Sequence, residues 1–431
     1  MRIKKEVRKI VASVLAFLMV VSLIPVNSLM TKANAASKTT FEGGKTVEDG
    51  TWKGWTWNVF GSSTDVTKAS ATDTGNGGVT LEVTGDKGKI NGSASDQGLN
   101  TFLYELDKSY DFTITAQAKI DTLATNEQAA FGLTIRDNVG THGNTTKLTA
   151  DKNNFAFVGG YGNKDNNADE TTNHGNAGYK TTKLKHTRLG KSPAVGGTYD
   201  LAIQKIGDSV KLYFDGEVAT ECSAADLITD DTMYVGLFAA RNAKITFNNV
   251  KLAYTQDSSS VKVTNVTAPK KTTYCAGNTY EDVDLTGFKA TVSVDGKERE
   301  ITAADCVVDM SSKPFSEVTE AGKLNLLYLG QVIEVPITVI KEVVSDMYIE
   351  YMPVKTDYMV TDTALDFTGL VGKVVYNSGR TFDLKTLIDN KDANTTVSDV
   401  DFTTAGDKEV TISHTYGDVT KDVIIPINVS D

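Results

Sequence analysis

The sequence predicts an all-β chain made of one large two-sheet body followed by two copies of a smaller one. Three observations carry this. Short apolar alternations recur with turn signals between them, and no stretch of ten or more residues keeps a helical apolar stripe. The chain holds 36 glycines and seven prolines, a turn-rich composition that suits β-sandwiches. After residue 260 the sequence repeats itself at an offset of 82 to 90 residues.

The first 35 residues read as an export segment. Arg2, Lys4, Lys5, Arg8 and Lys9 precede an apolar run from Ile10 to Ile24, then Pro25 and the small-x-small triplet Ala33-Asn34-Ala35. The run is short for a membrane span, which needs about 20 residues. Secretion without membrane insertion is the expectation.

In residues 36–255, Phe112, Ile114, Ala116, Ala118 and Ile120 alternate with polar neighbours, as one half-buried strand. Tyr199, Leu201 and Ile203 lead to Gly207-Asp208, and Val210, Leu212 and Phe214 return, which predicts a hairpin with a second turn at Asp215-Gly216. Met233, Val235 and Leu237 alternate cleanly; Ile245, Phe247, Val250 and Leu252 nearly do. Between residues 138 and 182 the pattern gives way to Asn, Gly, Asp and Thr, interrupted by Phe155, Phe157 and Tyr161. Such a polar insertion is a binding loop or decoration. Residues 256–260 predict a polar linker, and the two repeats occupy 261–341 and 346–430. Pro269-Lys270-Lys271-Thr272-Thr273-Tyr274 matches Pro353-Val354-Lys355-Thr356-Asp357-Tyr358, and Pro336-Ile337-Thr338-Val339 matches Pro426-Ile427-Asn428-Val429. Of the three cysteines, Cys275 and Cys306 share a repeat, and whether they pair is left open by sequence alone.

These residues bring known families into view. The repeats resemble bacterial immunoglobulin-like domains on the Lys-Thr-x-Tyr strand, the Leu-Thr-Gly or Phe-Thr-Gly turn, and the late turns Tyr328-Leu329-Gly330 and Tyr416-Gly417. That resemblance implies spacers or presenters on secreted proteins of Gram-positive bacteria. The first body resembles a concanavalin A-like or laminin G-like jelly roll on three segments. They are Val210–Glu217, the run Tyr234-Val235-Gly236-Leu237-Phe238-Ala239-Ala240-Arg241, and the close Ile245–Leu252. Phe131-Gly132-Leu133-Thr134-Ile135-Arg136-Asp137 is similar to modules that accompany clostridial pectate lyases. Together they imply an all-β chain, a jelly-roll β-sandwich followed by two Ig-like β-sandwiches. The fold alone does not name a ligand.

Charge narrows the partners. The chain carries a formal −11, and residues 257–431 hold 16 basic against 28 acidic residues. That acidic half repels nucleic acid, anionic lipid and anionic polymers, so any acidic partner binds the first half. Glycosidases on this fold bear two glutamates flanking an aspartate on one strand. Glu105-Leu106-Asp107 is the nearest approach and lacks the third carboxylate, while hydrolysis needs a pair. No Gly-x-Ser-x-Gly, His-Glu-x-x-His or phosphate-binding glycine loop occurs. No catalytic residue and no metal site are assigned; Glu42 and Asn249 are the only calcium candidates, and Asn249 lacks charge.

The binding candidates are aromatic and basic. Trp55 and Trp57 share a strand face and form either a sugar-stacking platform or a core plug, the plug being favoured. Tyr161 and Tyr179, in the polar insertion, are expected to be exposed. Arg136 and Arg241 lie near strand ends, where guanidinium forks suit hydroxyls and carboxylates; a structural pair with Asp137 is the plain alternative for Arg136. Residues 171–199 contain no acidic side chain but hold Lys180, Lys183, Lys185, His186, Arg188 and Lys191. This island recruits an anionic glycan such as pectate, or its lysines protect an edge strand from aggregation. The chain therefore reads as a secreted, monomeric, non-catalytic polysaccharide-binding protein accessory to polysaccharide degradation, pectin included. An adhesin or scaffold that binds protein is the alternative. Lys183→Glu with Lys185→Glu separates the two readings of the island. Lost retention on polygalacturonate with folding intact supports recruitment; unchanged retention supports edge protection.

Overall fold

The computed structural model describes residues 39–61, 65–86, 88–90, 98–124, 128–145, 148, 153–162 and 174–431. The export segment expected at 1–35 lies outside them. The described chain is nearly all β; its two α-helices, Ala224–Leu227 and Leu384–Asp389, are short.

Two seven-stranded antiparallel sheets form the first body. Sheet I runs, in spatial order, β1 (Trp55–Gly61), β4 (Gly98–Asp107), β13 (Thr232–Ala240), β6 (Ala130–Arg136), β7 (Phe155–Tyr161), β8 (His174–Lys180) and β9 (Leu184–Arg188). Sheet II runs β12 (Glu217–Ser223), β11 (Ser209–Phe214), β10 (Thr198–Ile206), β5 (Asp111–Leu123), β14 (Ala243–Thr255), β3 (Gly78–Val83) and β2 (Ala69–Gly75). The alternation in β5 buries Phe112, Ile114, Ala116, Ala118 and Ile120 against Leu133, Val235 and Leu237 of the opposite sheet. The β10–β11 hairpin turns at Gly207-Asp208, with Ile206 opposite Ser209, as the sequence predicts. The imperfect alternation in β14 has a cause: a bulge between Asn248 and Lys251 with Asn249 at φ 51°.

Residues 261–430 hold two further bodies of one design. Each pairs a three-stranded sheet with a four-stranded sheet, and in each a short strand lies parallel to the last one. These are Thr273–Cys275 beside Gln331–Ile340, and Asp357–Met359 beside Val419–Ser430. The offset seen in sequence is thus a repeat of topology, with separate apolar cores around Val335 and around Val410.

The segment expected to be a polar linker is a folded joint. Ser258–Ser260 form a 3-10 turn capped by Asp257, and Thr255 is buried and donates to Asp295 Oδ1 at 2.7 Å. The first repeat then rests on the outer face of sheet II. Leu329 N donates to Thr113 Oγ1 at 3.1 Å, Thr115 Oγ1 to Ala304 O at 2.6 Å, and Tyr280 Oη to Asp200 Oδ2 at 2.8 Å. Burial raises the Asp200 carboxyl above its usual range, opposed by that tyrosine bond. Cys222, Cys275 and Cys306 are all free thiols.

In the second repeat His414 is buried between Tyr376 Oη at 2.8 Å and Thr395 Oγ1 at 2.8 Å. Burial lowers its pKa, opposed by Asp392. The unfolded chain therefore binds the proton more readily, so the stability that neutral His414 supplies is present above about pH 6.5 and is lost as pH falls below it. The melting temperature of the second repeat should drop between pH 7 and 5, and His414→Gln should flatten that slope. An unchanged slope in His414→Gln would contradict the assignment.

Candidate functional site

At β6 and β7 sheet I is buried on both sides, and this sets the chemistry of its outward face. Successive residues of a strand point to opposite faces. Thus β7 sends Ala156 and Val158 into the sandwich but Phe155, Phe157 and Tyr161 outward, and β13 sends Phe238 and Ala240 outward. Those outward side chains make a second apolar cluster with Phe60, Ile90 and Leu99, and Val139, Leu148 and Leu184 pack against it. Glycine is required at its centre. Gly132 and Gly159 face each other across β6 and β7 at φ 149° and 154°, and a Cβ on either would lie 2.0 Å from a carbonyl oxygen of the neighbouring strand.

Polar groups are set into this face in rows fixed by register. One row reads Glu105, Tyr234, Arg136, Phe155, Lys180 and Leu184 from β4 to β9. A second reads Gly132, Gly159, Asn176 and Arg188 from β6 to β9. Arg136 has no exposed surface. Its guanidinium lies 5.0 Å from the Phe155 ring and 5.6 Å from the Phe60 ring. It donates from Nε to Asn138 O at 3.2 Å and from Nη2 to Asn153 Oδ1 at 3.0 Å. Burial lowers it to about 9, so it keeps its charge at neutral pH. Lys180 is 7% exposed, and burial, then the Arg136 charge, lower its pKa. Asn176 is 1% exposed, and neither of its amide atoms has a partner; Asn153 Nδ2 has none either. Donors at these positions suit a carboxylate, and the amides suit hydroxyls.

The residues singled out in sequence divide between this face and other places. Arg136, Arg188 and Tyr161 lie on it, but Tyr161 is 1% exposed rather than free. It packs edge-on against Phe157 and His186, because the outward face of β7 is itself a core. The ion pair considered for Arg136 with Asp137 does not form. Asp137 instead accepts from Thr229 N and Oγ1 and from Asp230 N. Trp55 points into the sandwich, stacked on Phe102, as a core plug does. Trp57 is half-buried and donates Nε1 to Asn100 Oδ1 at 2.7 Å. Tyr179 also faces the inner side, half-buried, with Lys185 Nζ 5.5 Å from its ring centre, so it is not the free aromatic expected. Lys183 and Lys185 are exposed at β9, the edge strand of sheet I. Arg241 forms the β13–β14 turn at φ 55° and donates Nε to Gly88 O at 3.2 Å, far along the sheet from Arg136. Sequence reasoning missed Asn153 and Asn176, whose polar surroundings hid that they are buried. Glu42 pairs with Lys45 at the surface, Asn249 lies in the β14 bulge, and no cluster of three His, Cys, Asp or Glu side chains occurs among the described residues.

A nearly all-β chain whose first body carries a cationic, amide-lined sheet face belongs among modular β-sandwich proteins. Comparison with known proteins makes the relation more specific. Residues 58–257 match the family described as the pectate disaccharide-lyase N-terminal domain. Pectate lyase L of Thermoclostridium stercorarium is 28% identical over 330 residues, covering 75% of this chain and 24% of that protein. The chain thus spans about a quarter of the length of that relative. Among solved structures, the carbohydrate binding module CBM66 from Bacillus subtilis aligns at 15% identity with a TM-score of 0.28, over 49% of this chain and 98% of that one. Lectin II from Ulex europaeus aligns at 11% identity with a TM-score of 0.31, over 50% and 98%.

Proposed function

We propose that the chain is a secreted, non-catalytic polysaccharide-binding protein, accessory to extracellular pectin breakdown, in which the first body holds the polymer. Residues 36–255 form the jelly-roll binding domain, and 261–341 and 346–430 are Ig-like spacers that carry it. The observation that carries this reading is the outward face of sheet I, where Asn153 and Asn176, set beside the cations Arg136 and Lys180, keep buried amide atoms without partners. Holding a sugar acid needs donors of that kind; cutting a glycosidic bond needs a pair of carboxylates. The match of residues 58–257 to a pectate disaccharide-lyase N-terminal domain supports the pectin context. Sheet II is a poorer choice of face, because the first repeat rests on it.

A second reading, protein contact through the last repeat, draws on a different observation. Tyr351, Met352 and Val354 are 69%, 47% and 82% exposed, where the first repeat carries Thr267, Ala268 and Lys270 at the matching positions. The fold does not require apolar groups there, and adhesins and scaffolds use such surfaces.

Native gels cast with a panel of plant and host polysaccharides test the main reading. The chain should be retarded by polygalacturonate and run freely in gels without an acidic polymer. Free migration in every gel would move the weight to protein contact.

A further inference from the structure

We infer that His142 is an acid-released latch: its neutral imidazole holds residues 138–144 as a strap along β1 and over the Arg136 end of the outward face, and protonation loosens that strap. The opening is a property of the chain without polymer, so the inference stands or falls apart from the binding reading.

Strand β1 is an edge of sheet I, and two segments cover its open side. Gly44 N donates to Trp57 O at 2.7 Å and Val47 N to Trp55 O at 2.8 Å. Further along, Gly143 N donates to Val59 O at 2.9 Å and Gly61 N to Asn144 O at 3.1 Å. His142 sits where the two covers meet. Val59 N donates to its Nδ1 at 3.1 Å, so the neutral ring carries its own proton on Nε2. The side chain is wedged over Gly43 and Gly44, where an added Cβ would lie 1.9 Å from Cε1 and 2.9 Å from Cβ of His142. Its ring meets Trp57 edge-on at 5.3 Å. A backbone N–H can only donate. A second proton on the ring would therefore set Nδ1–H against Val59 N–H and replace a hydrogen bond with two opposed donors. No carboxylate is placed to offset this. Apart from His142, β1 and residues 138–145 hold no ionisable side chain, and β4 sets Phe102 and Asn100 opposite Trp57 and Val59. Glu42 and Lys45, on the other cover, pair with each other at the surface. Burial lowers the His142 pKa accordingly.

The strap covers the face already described. Val139 packs on the outward apolar cluster, and a Cβ on Gly140 would lie 2.8 Å from the Phe60 side chain. Asn138 O accepts from Arg136 Nε at 3.2 Å. Lifting the strap thus bares Phe60 and frees one edge of the Arg136 guanidinium. Its other bonds, such as Asn58 Nδ2 to Gly140 O at 2.6 Å, do not titrate, so acid shifts an opening equilibrium and does not abolish closure.

Hydrogen–deuterium exchange of the full chain at pH 7.5 and pH 5, with each rate divided by the intrinsic amide rate at that pH, tests this. In the open strap the ring titrates near its free value, about 6.5, whereas the closed strap resists the proton. Closure is therefore fully supported above about pH 6.5 and weakens as pH falls below it. Protection in residues 57–61 and 139–144 should drop several-fold at pH 5, to a limit of about thirtyfold for one proton. His142→Asn offers an acceptor oxygen near the place of Nδ1 that does not titrate, and His142→Ala offers none; both should lose the pH response. His414 also titrates, but it lies in the second repeat, whose peptides report it separately. Equal protection of the native strap at the two pH values, or a fall in both variants as large as in the native chain, would overturn the inference.

Discussion

Over β6, β7 and β8 sheet I is packed on both faces, and that constraint governs the first body. The inner face of sheet I meets sheet II through Phe131, Leu133 and Val235, and its outer face carries the Phe155, Phe157, Tyr161 and Phe238 cluster. Polar side chains set into that part of the outer face, such as Arg136 and Asn176, leave water and need a partner. Arg136 is largely answered from within, through two oxygen acceptors and two aromatic rings. Asn176 is not: neither of its amide atoms has a partner. The proposed function follows from that asymmetry rather than from any exposed aromatic platform.

Much of the architecture was legible because it rests on period-two alternation and repetition. β5, the β10–β11 hairpin and β13 announce themselves by apolar spacing, and the two repeats by matched Pro, Tyr and Gly positions. What was hidden is instructive. β8 reads His-Gly-Asn-Ala-Gly-Tyr-Lys, with hardly an apolar residue, yet it is an interior strand of sheet I. Its small residues fit beneath neighbouring strands, so burial there comes from closeness of backbone and not from apolar side chains. Tyr161 is buried for a different reason: the outward face of β7 is itself apolar, and the ring packs edge-on against Phe157 and His186. The joint at 256–260 was misread because serines cap and turn as readily as they link.

The two repeats shape the electrostatics in which the first body works. Residues 257–431 hold 28 acidic residues against 16 basic ones and repel an acidic polymer. One repeat covers the outer face of sheet II through Thr113, Thr115 and Asp200. An anionic chain is thus turned away from one end of the molecule and met by Arg188 and the exposed Lys183 and Lys185 on sheet I. The edge lysines of β9 add exposed charge beside that face, which favours encounter more than affinity.

The central claim is that polymer is held on the outward face of sheet I. Hydrogen–deuterium exchange of the full chain with and without oligogalacturonate tests it most directly. The account predicts slowed exchange in β7 and β8, residues 155–161 and 174–180, with the repeats unchanged. Protection confined to the cleft where Phe214 and Val218 face Phe315 of the first repeat, or absent from sheet I altogether, would contradict it.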